Sequence, residues 1–139
     1  MKVVVDTNVF ISGVFFGGKP RIVLESIVRG DITAFASSAI IEEYSETVQV
    51  LVGRKQGSLS QEAVSSFVAS LNIVEPRTKV VASRDPDDDK FIECALDSGA
   101  LYIISGDKDL LILEKYRGVT MITAADFVAK YITETNQSS

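Results

Sequence analysis

Four short apolar stretches decide most of what this chain can become. Lys2 to Val5 reads KVVV, Ile32 to Ala36 ITAFA, Leu101 to Ile104 LYII and Val119 to Ile122 VTMI. They run as continuous apolar segments instead of the alternation seen in a strand with one face in water, the pattern of parallel strands covered on both sides. Helical patterns separate them. The spacing predicts helices over Pro20 to Arg29, Ser38 to Leu51 and Ser60 to Leu71, with the turn-prone GRKQGS between the last two. In the first of these, Pro20 stands in the opening turn and Gly30 just past the end. A short extended piece near Lys79 to Ala82 precedes an Asp-capped helix ending near Gly99. Asp107 to Leu113 and Ala124 to Ile132 read as the last two helices. Strands alternating with helices give an α/β fold, a three-layer α/β/α sandwich around a central, mainly parallel sheet. The 139 residues suit one domain over residues 1–132, and the polar ending TETNQSS at 133–139 reads as a frayed tail.

Composition narrows the chemistry. The chain has no histidine and a single cysteine, so a Ser-His-Asp triad, a Cys-His pair, a zinc site of familiar type and an internal disulfide are all excluded. Any catalysis has to run on carboxylates, hydroxyls or a bound metal. A formal charge of −5 does not suit a protein that holds nucleic acid by phosphate neutralisation alone, although it leaves room for a local basic rim. No apolar run reaches membrane-spanning length, and Asp6 interrupts the apolar start before a signal peptide could form. The chain is therefore read as soluble and cytoplasmic, with no membrane partner.

The acids have a pattern. In open α/β sheets, sites form beyond the carboxyl ends of the strands, and Asp6, Ser105 and Asp107 stand at such ends. On the helix from Ser38, residues Ile40, Ile41, Tyr44, Val48 and Leu51 make one narrow stripe at about 100° per residue. Glu42 falls nearly opposite that stripe and Glu43 on its margin. The same construction on Phe91, Ile92, Ala95 and Leu96 puts Asp88 on the centre line of the buried face. Taken singly, each acid has a plain use: an Asx turn for Asp6 with Asn8 helping, capping for Asp85, Asp87, Asp89 and Asp107, and solvation for Asp109. Asp88 is the exception, because a carboxylate on a core-facing line is expensive unless paired or bound to a cation. As a set, Asp6, Glu43, Asp88 and Asp107 are free to converge at one edge of the sheet. Together they would repel one another unless a hard divalent ion holds them ionised, and an all-oxygen site favours Mg²⁺ or Mn²⁺. Without histidine, water activated by such an ion is the most economical nucleophile, and hydrolysis of a phosphodiester its usual reaction.

At these residues the sequence resembles the PIN-domain family of metal-dependent ribonucleases, especially its branch of toxin components of prokaryotic toxin-antitoxin pairs. The matching pieces are VVVDTNVFIS at Val3 to Ser12, SAIIEEY at Ser38 to Tyr44, DPDDDKFIECA at Asp85 to Ala95 and SGDKDLL at Ser105 to Leu111. The resemblance implies a PIN-like fold and an acidic tetrad of Asp6, Glu43, Asp88 and Asp107 that binds metal and serves catalysis, with Asn8 and Ser105 in support. It also implies RNA as substrate, Mg²⁺ or Mn²⁺ as cofactor, a homodimer, and a small antitoxin protein as partner. The acidic surroundings are a departure, leaving Lys19, Arg21, Arg54, Lys55 and Lys108 as the cations available to grip RNA.

Other classes compete. Gly13 to Pro20, GVFFGGKP, nearly spells a phosphate-binding loop but puts Pro20 where a hydroxyl is required. It reads as a loop leading into a helix. A receiver-type phosphoacceptor needs an acid pair after the first strand and a lysine after the last, whereas Asp6 is followed by Thr7 and Asn8 and the last strand ends at Thr123. A haloacid-dehalogenase-like phosphatase would need an acid where Asn8 stands. A catalytically inactive module that binds RNA or protein is the remaining alternative.

Overall fold

The computed structural model of the chain describes residues 1–53 and 61–132. Six strands form one sheet: β1 (Lys2–Val5), β2 (Thr33–Ala36), β3 (Asn72–Ile73), β4 (Tyr102–Ile104), β5 (Lys115–Tyr116) and β6 (Val119–Ile122), in the order β3-β2-β1-β4-β6-β5. Every pairing is parallel except that of β5 with β6. The helices among the described residues are α1 (Thr7–Phe15), α2 (Gly18–Val28), α3 (Ser38–Gly53), α4 (Gln61–Ala69), α5 (Asp89–Ser98), α6 (Lys108–Leu111) and α7 (Ala124–Tyr131), with a 3-10 turn at Pro86–Asp88 ahead of α5. None is long and apolar enough to cross a membrane.

The sheet is covered on both faces, as its apolar runs require. Val3, Val4 and Val5 are all fully buried, and successive strand residues point to opposite sides, so protein packs above and below β1. Burial of these side chains with Ile103, Ile104, Phe91 and Ile92 stabilises the fold by roughly 1.5–3 kcal/mol each. At the end of α5, Gly99 takes the left-handed conformation at φ 78°, which a residue with a Cβ adopts at a penalty.

Two features differ from the sequence reading. The stretch after Asp6 is a helix, α1, and not a turn and loop. Thr7, Val9, Phe10, Ile11, Gly13, Val14 and Phe15 are all buried, so almost every face of α1 is apolar and no amphipathic period marks it. Gly13 lies inside this helix against α2, where a Cβ would come within 2.6 Å of the Leu24 side chain. The near-match to a phosphate-binding loop thus spans the end of α1 and the start of α2. Secondly, β3 and β5 have two residues each, too few to show a period. The piece near Lys79 to Ala82, read as a short extended segment, belongs to no strand of the sheet. The expected turn GRKQGS (apart from Gly53), the helix start at Ser60 and the tail 133–139 fall outside the described residues.

Candidate functional site

β1 is the central switch point of the sheet, with β2 on one side and β4 on the other. The register pairs Val5 with Ile104, so the next residues, Asp6 and Ser105, emerge side by side at the carboxyl edge. Both are buried. The Asp6 carbonyl accepts the N–H groups of Val9 and Phe10 at 3.1 Å and starts α1, yet its carboxylate makes no capping bond. That carboxylate instead accepts the Ser105 hydroxyl on Oδ2 at 2.6 Å. The Ser105 oxygen in turn accepts the Asp107 N–H at 2.9 Å, so one hydroxyl fixes the spacing of two acids. Burial pushes the Asp6 carboxyl above its ordinary range; the Ser105 hydrogen bond opposes this, and the charges of Asp107 and Glu43 add to it. Asp107 also caps α6, accepting the Asp109 N–H on Oδ1 at 2.8 Å.

α3 delivers Glu43 through its neighbour. The Tyr44 hydroxyl donates to the Val5 carbonyl at 2.5 Å, and its ring stacks on Phe10 with centroids 4.6 Å apart. This seats α3 against the end of β1 and the first turn of α1. Glu43 Oε2 there accepts the Thr7 hydroxyl, while Oε1 pairs with Lys90 Nζ at 2.5 Å. Glu42 is exposed, as its place on the helix predicts.

The aspartate-rich turn brings in the remaining acids, each with a different duty. Asp85 caps the 3-10 turn by accepting the Asp87 N–H at 3.0 Å, and Asp87 is exposed. Asp89 is buried and, beyond its place at the start of α5, accepts the N–H groups of Ala82 at 3.2 Å and Ser83 at 2.8 Å. Asp88 is 7% exposed, and its Oδ2 has no hydrogen-bond partner among the described residues. Its pKa is pushed up to about 7, first by burial, then by the charge and hydrogen-bonding proximity of Asp107, with smaller contributions from Asp6 and Asp85. Asp109 is half-buried and ion-paired to Arg84 at 2.8 Å, so it is not the solvated residue expected. Among the described residues, Asp85, Asp88 and Asp109 each place one carboxylate oxygen within 4.8 Å of the others.

Of the four acids expected to act together, Asp107 acts electrostatically on both Asp6 and Asp88, Asp6 acts on Asp88, and Glu43 acts on Asp6. Only Asp88 belongs to the 4.8 Å trio. Asn8 is exposed on the first turn of α1, and Lys19 and Lys108 are exposed. The Arg21 guanidinium is committed to the backbone, donating to the Gly13 and Val14 carbonyls at 2.9 and 3.2 Å. Arg54 and Lys55 lie outside the described residues. Thr7, Lys90 and Arg84 are the contributors that the sequence reading passed over. Lys90 carries a signal: a cation in the first turn of a helix faces the positive end of the macrodipole, an unfavourable placement that calls for an acidic neighbour elsewhere in the fold.

The donor set is hard oxygen throughout, and it includes a buried carboxylate oxygen without a proton donor. Such a group is stable when neutral or beside a cation, so these residues fit a divalent ion of the Mg²⁺ or Mn²⁺ type. A family model for the PIN domain matches residues 2–109, which take in every acid described above. The uncharacterized protein MJ1680 of Methanocaldococcus jannaschii is 36% identical over 119 residues, covering 81% of this chain and 75% of that protein. Among solved structures, VapBC2 from Rickettsia felis bound to a DNA fragment from their promoter matches with a TM-score of 0.61 over 88% of this chain and 98% of that one, at 14% identity. That likeness is one of fold. Sequence, sheet topology and the gathering of acids at the carboxyl edge agree, and the chain belongs to the PIN domain family, a family of nucleases.

Proposed function

We propose that the chain is a metal-dependent endoribonuclease that hydrolyses RNA phosphodiester bonds, with Asp6, Glu43, Asp88 and Asp107 holding Mg²⁺ or Mn²⁺, and that it is the toxin of a pair whose small antitoxin protein inhibits it. The observation that carries the first half is Asp88, a buried carboxylate with an unpartnered oxygen beside Asp107 and within the field of Asp6. When bound, the ion supplies Lewis acidity, lowering the pKa of water and balancing charge on phosphoryl oxygens. The chain's own groups do the positioning. Ser105 orients the Asp6 carboxylate and ties it to the Asp107 backbone, while Thr7 fixes one oxygen of Glu43. Exposed Asn8, Lys19 and Lys108 are open to RNA.

The test is cleavage of a mixed RNA pool during Mn²⁺ titration. The expected result is ion-dependent cutting that EDTA stops, with at least a hundredfold loss in Asp6→Asn or Asp88→Asn, the scale on which removal of a group central to charge stabilisation acts. Cutting at the wild-type rate by either variant would overturn the site assignment. The motif resemblance to the toxin branch supports the second half. It predicts that a reading frame beside this one encodes a small protein that binds the chain and stops cleavage. A neighbour that binds without effect on cleavage, or no such neighbour, would defeat it.

A further inference from the structure

Among the described residues, Glu43 is the one expected ligand that already has a cation. Lys90 Nζ lies 2.5 Å from Oε1, with the two side chains 23% and 31% exposed, and the Thr7 hydroxyl occupies Oε2. Both carboxylate oxygens are therefore engaged. Locally, Lys90 meets one penalty and one attraction. It is the second residue of α5, where the helix end repels positive charge, and its ammonium sits 5.9 Å from the Phe91 ring centroid. Its stem is a flexible four-carbon chain. A cleft of about 300 Å³ opens beside the pair, lined by Ala39, Glu42, Glu43, Glu46, Asp87 and Lys90. An ammonium leaving Glu43 thus finds three further carboxylates lining the same cleft.

We infer that Lys90 is a tethered competitor for the divalent ion. It neutralises Glu43 while the site is empty of metal and vacates that carboxylate, moving toward Glu42, Glu46 and Asp87, when the ion loads. The inference rests on the reading above that Glu43 is a metal ligand. Its physical basis is mutual exclusion: a cation held at a few ångströms from a second cation is repelled, and Glu43 Oε1 serves one of them at a time. The competitor lowers the affinity of the site for metal and, in exchange, keeps four acids from standing together uncompensated.

The experiment is calorimetric titration of Mn²⁺ into the full chain at fixed pH and ionic strength. Losing a partly exposed ion pair of about 1 kcal/mol should let Lys90→Met bind Mn²⁺ roughly fivefold more tightly than wild type. In a Glu43→Gln background the same change should do nothing. Lys90→Arg, which keeps the charge and can grip the carboxylate through two nitrogens, should bind Mn²⁺ more weakly than wild type, and this variant decides the matter if Lys90→Met fails to fold. Independently, labelling of lysine amines read by mass spectrometry should find Lys90 more reactive in saturating Mn²⁺ than in EDTA. Equal or weaker Mn²⁺ binding by Lys90→Met, or unchanged Lys90 reactivity, would overturn the inference and leave the metal site standing. Mn²⁺ binding that is absent from wild type and variants alike would remove both.

Discussion

Asp88 is an acid whose burial and neighbours favour its neutral form, and this has a sign that can be measured. Its pKa stands near 7, against an ordinary 3.8. The folded chain therefore binds a proton more tightly than the unfolded chain does. The stability linked to that proton is fully present below about pH 4 and is lost as pH rises toward 7. Asp6 is shifted in the same direction and adds to the trend. In EDTA at pH 7.5, Asp88→Asn should be more stable than wild type by on the order of 1 kcal/mol, since an amide needs no proton to be neutral, and the gap should close toward pH 4. Urea unfolding across that range checks it. A variant less stable than wild type at pH 7.5 would show that the Asp88 oxygen is satisfied in a way its surroundings do not reveal.

At the scale of elements, the segment from Arg77 to Ser83 is bound to α5 by acids one turn apart. Asp97 accepts the N–H groups of Arg77 and Thr78 and the Thr78 hydroxyl. Glu93 accepts the Val80 N–H at 3.1 Å, and Asp89 accepts those of Ala82 and Ser83. Residues 89, 93 and 97 share a helix face, so the extended segment finds along α5 the acceptors a strand finds in its neighbour. Its last residue, Ser83, accepts the Asp85 N–H and donates to the Asp109 carbonyl, which links the strap to the acids of the site. Asp89→Ala leaves two N–H groups without acceptors and should lower stability by roughly 2–4 kcal/mol, with faster amide exchange at Ala82 and Ser83. Unchanged exchange there would mean the strap is held by other contacts. At its far end, the hydroxyl and backbone donors on Asp97 hold that carboxyl below its ordinary range, so this clamp persists above pH 4 and is lost as pH falls through the folded value.

The same element shows where sequence reading works and where it stops. Periodicity on α3 and α5 separated Glu43 from Glu42 and Asp88 from Asp87, because those helices have one buried face and one wet one. It could not see α1, which is buried almost all round, or the two-residue edge strands. It also assigned Asp89 to capping, because the partners of that carboxylate lie on a strap whose path α5 dictates. Arg84 with Asp109, and Lys90 with Glu43, are tertiary pairs that local pattern does not encode. The strand-end positions of Asp6, Ser105 and Asp107 were legible since any parallel sheet places them at one edge.

For the whole molecule, the proposed function makes metal binding and folding one equilibrium. An ion that binds only the folded chain stabilises it by about 2.7 kcal/mol at a hundredfold excess over its Kd. Mn²⁺ should therefore raise the melting temperature in a concentration-dependent way, the rise being largest above pH 7, where Asp88 is ionised, and absent in Asp88→Asn. A melting temperature indifferent to Mn²⁺ at pH 8 would argue that no ion binds the folded state at this edge.

The central strand β1 precedes its partner β4, at Tyr102–Ile104, by about a hundred residues of chain. A copy stalled on the ribosome after α4 holds Asp6 and Glu43 but lacks the strand that would set Ser105 and Asp107 beside them. On the proposed reading, the four acids come together only once β4 and Asp107 have been made, so an unfinished copy has no site with which to cut RNA.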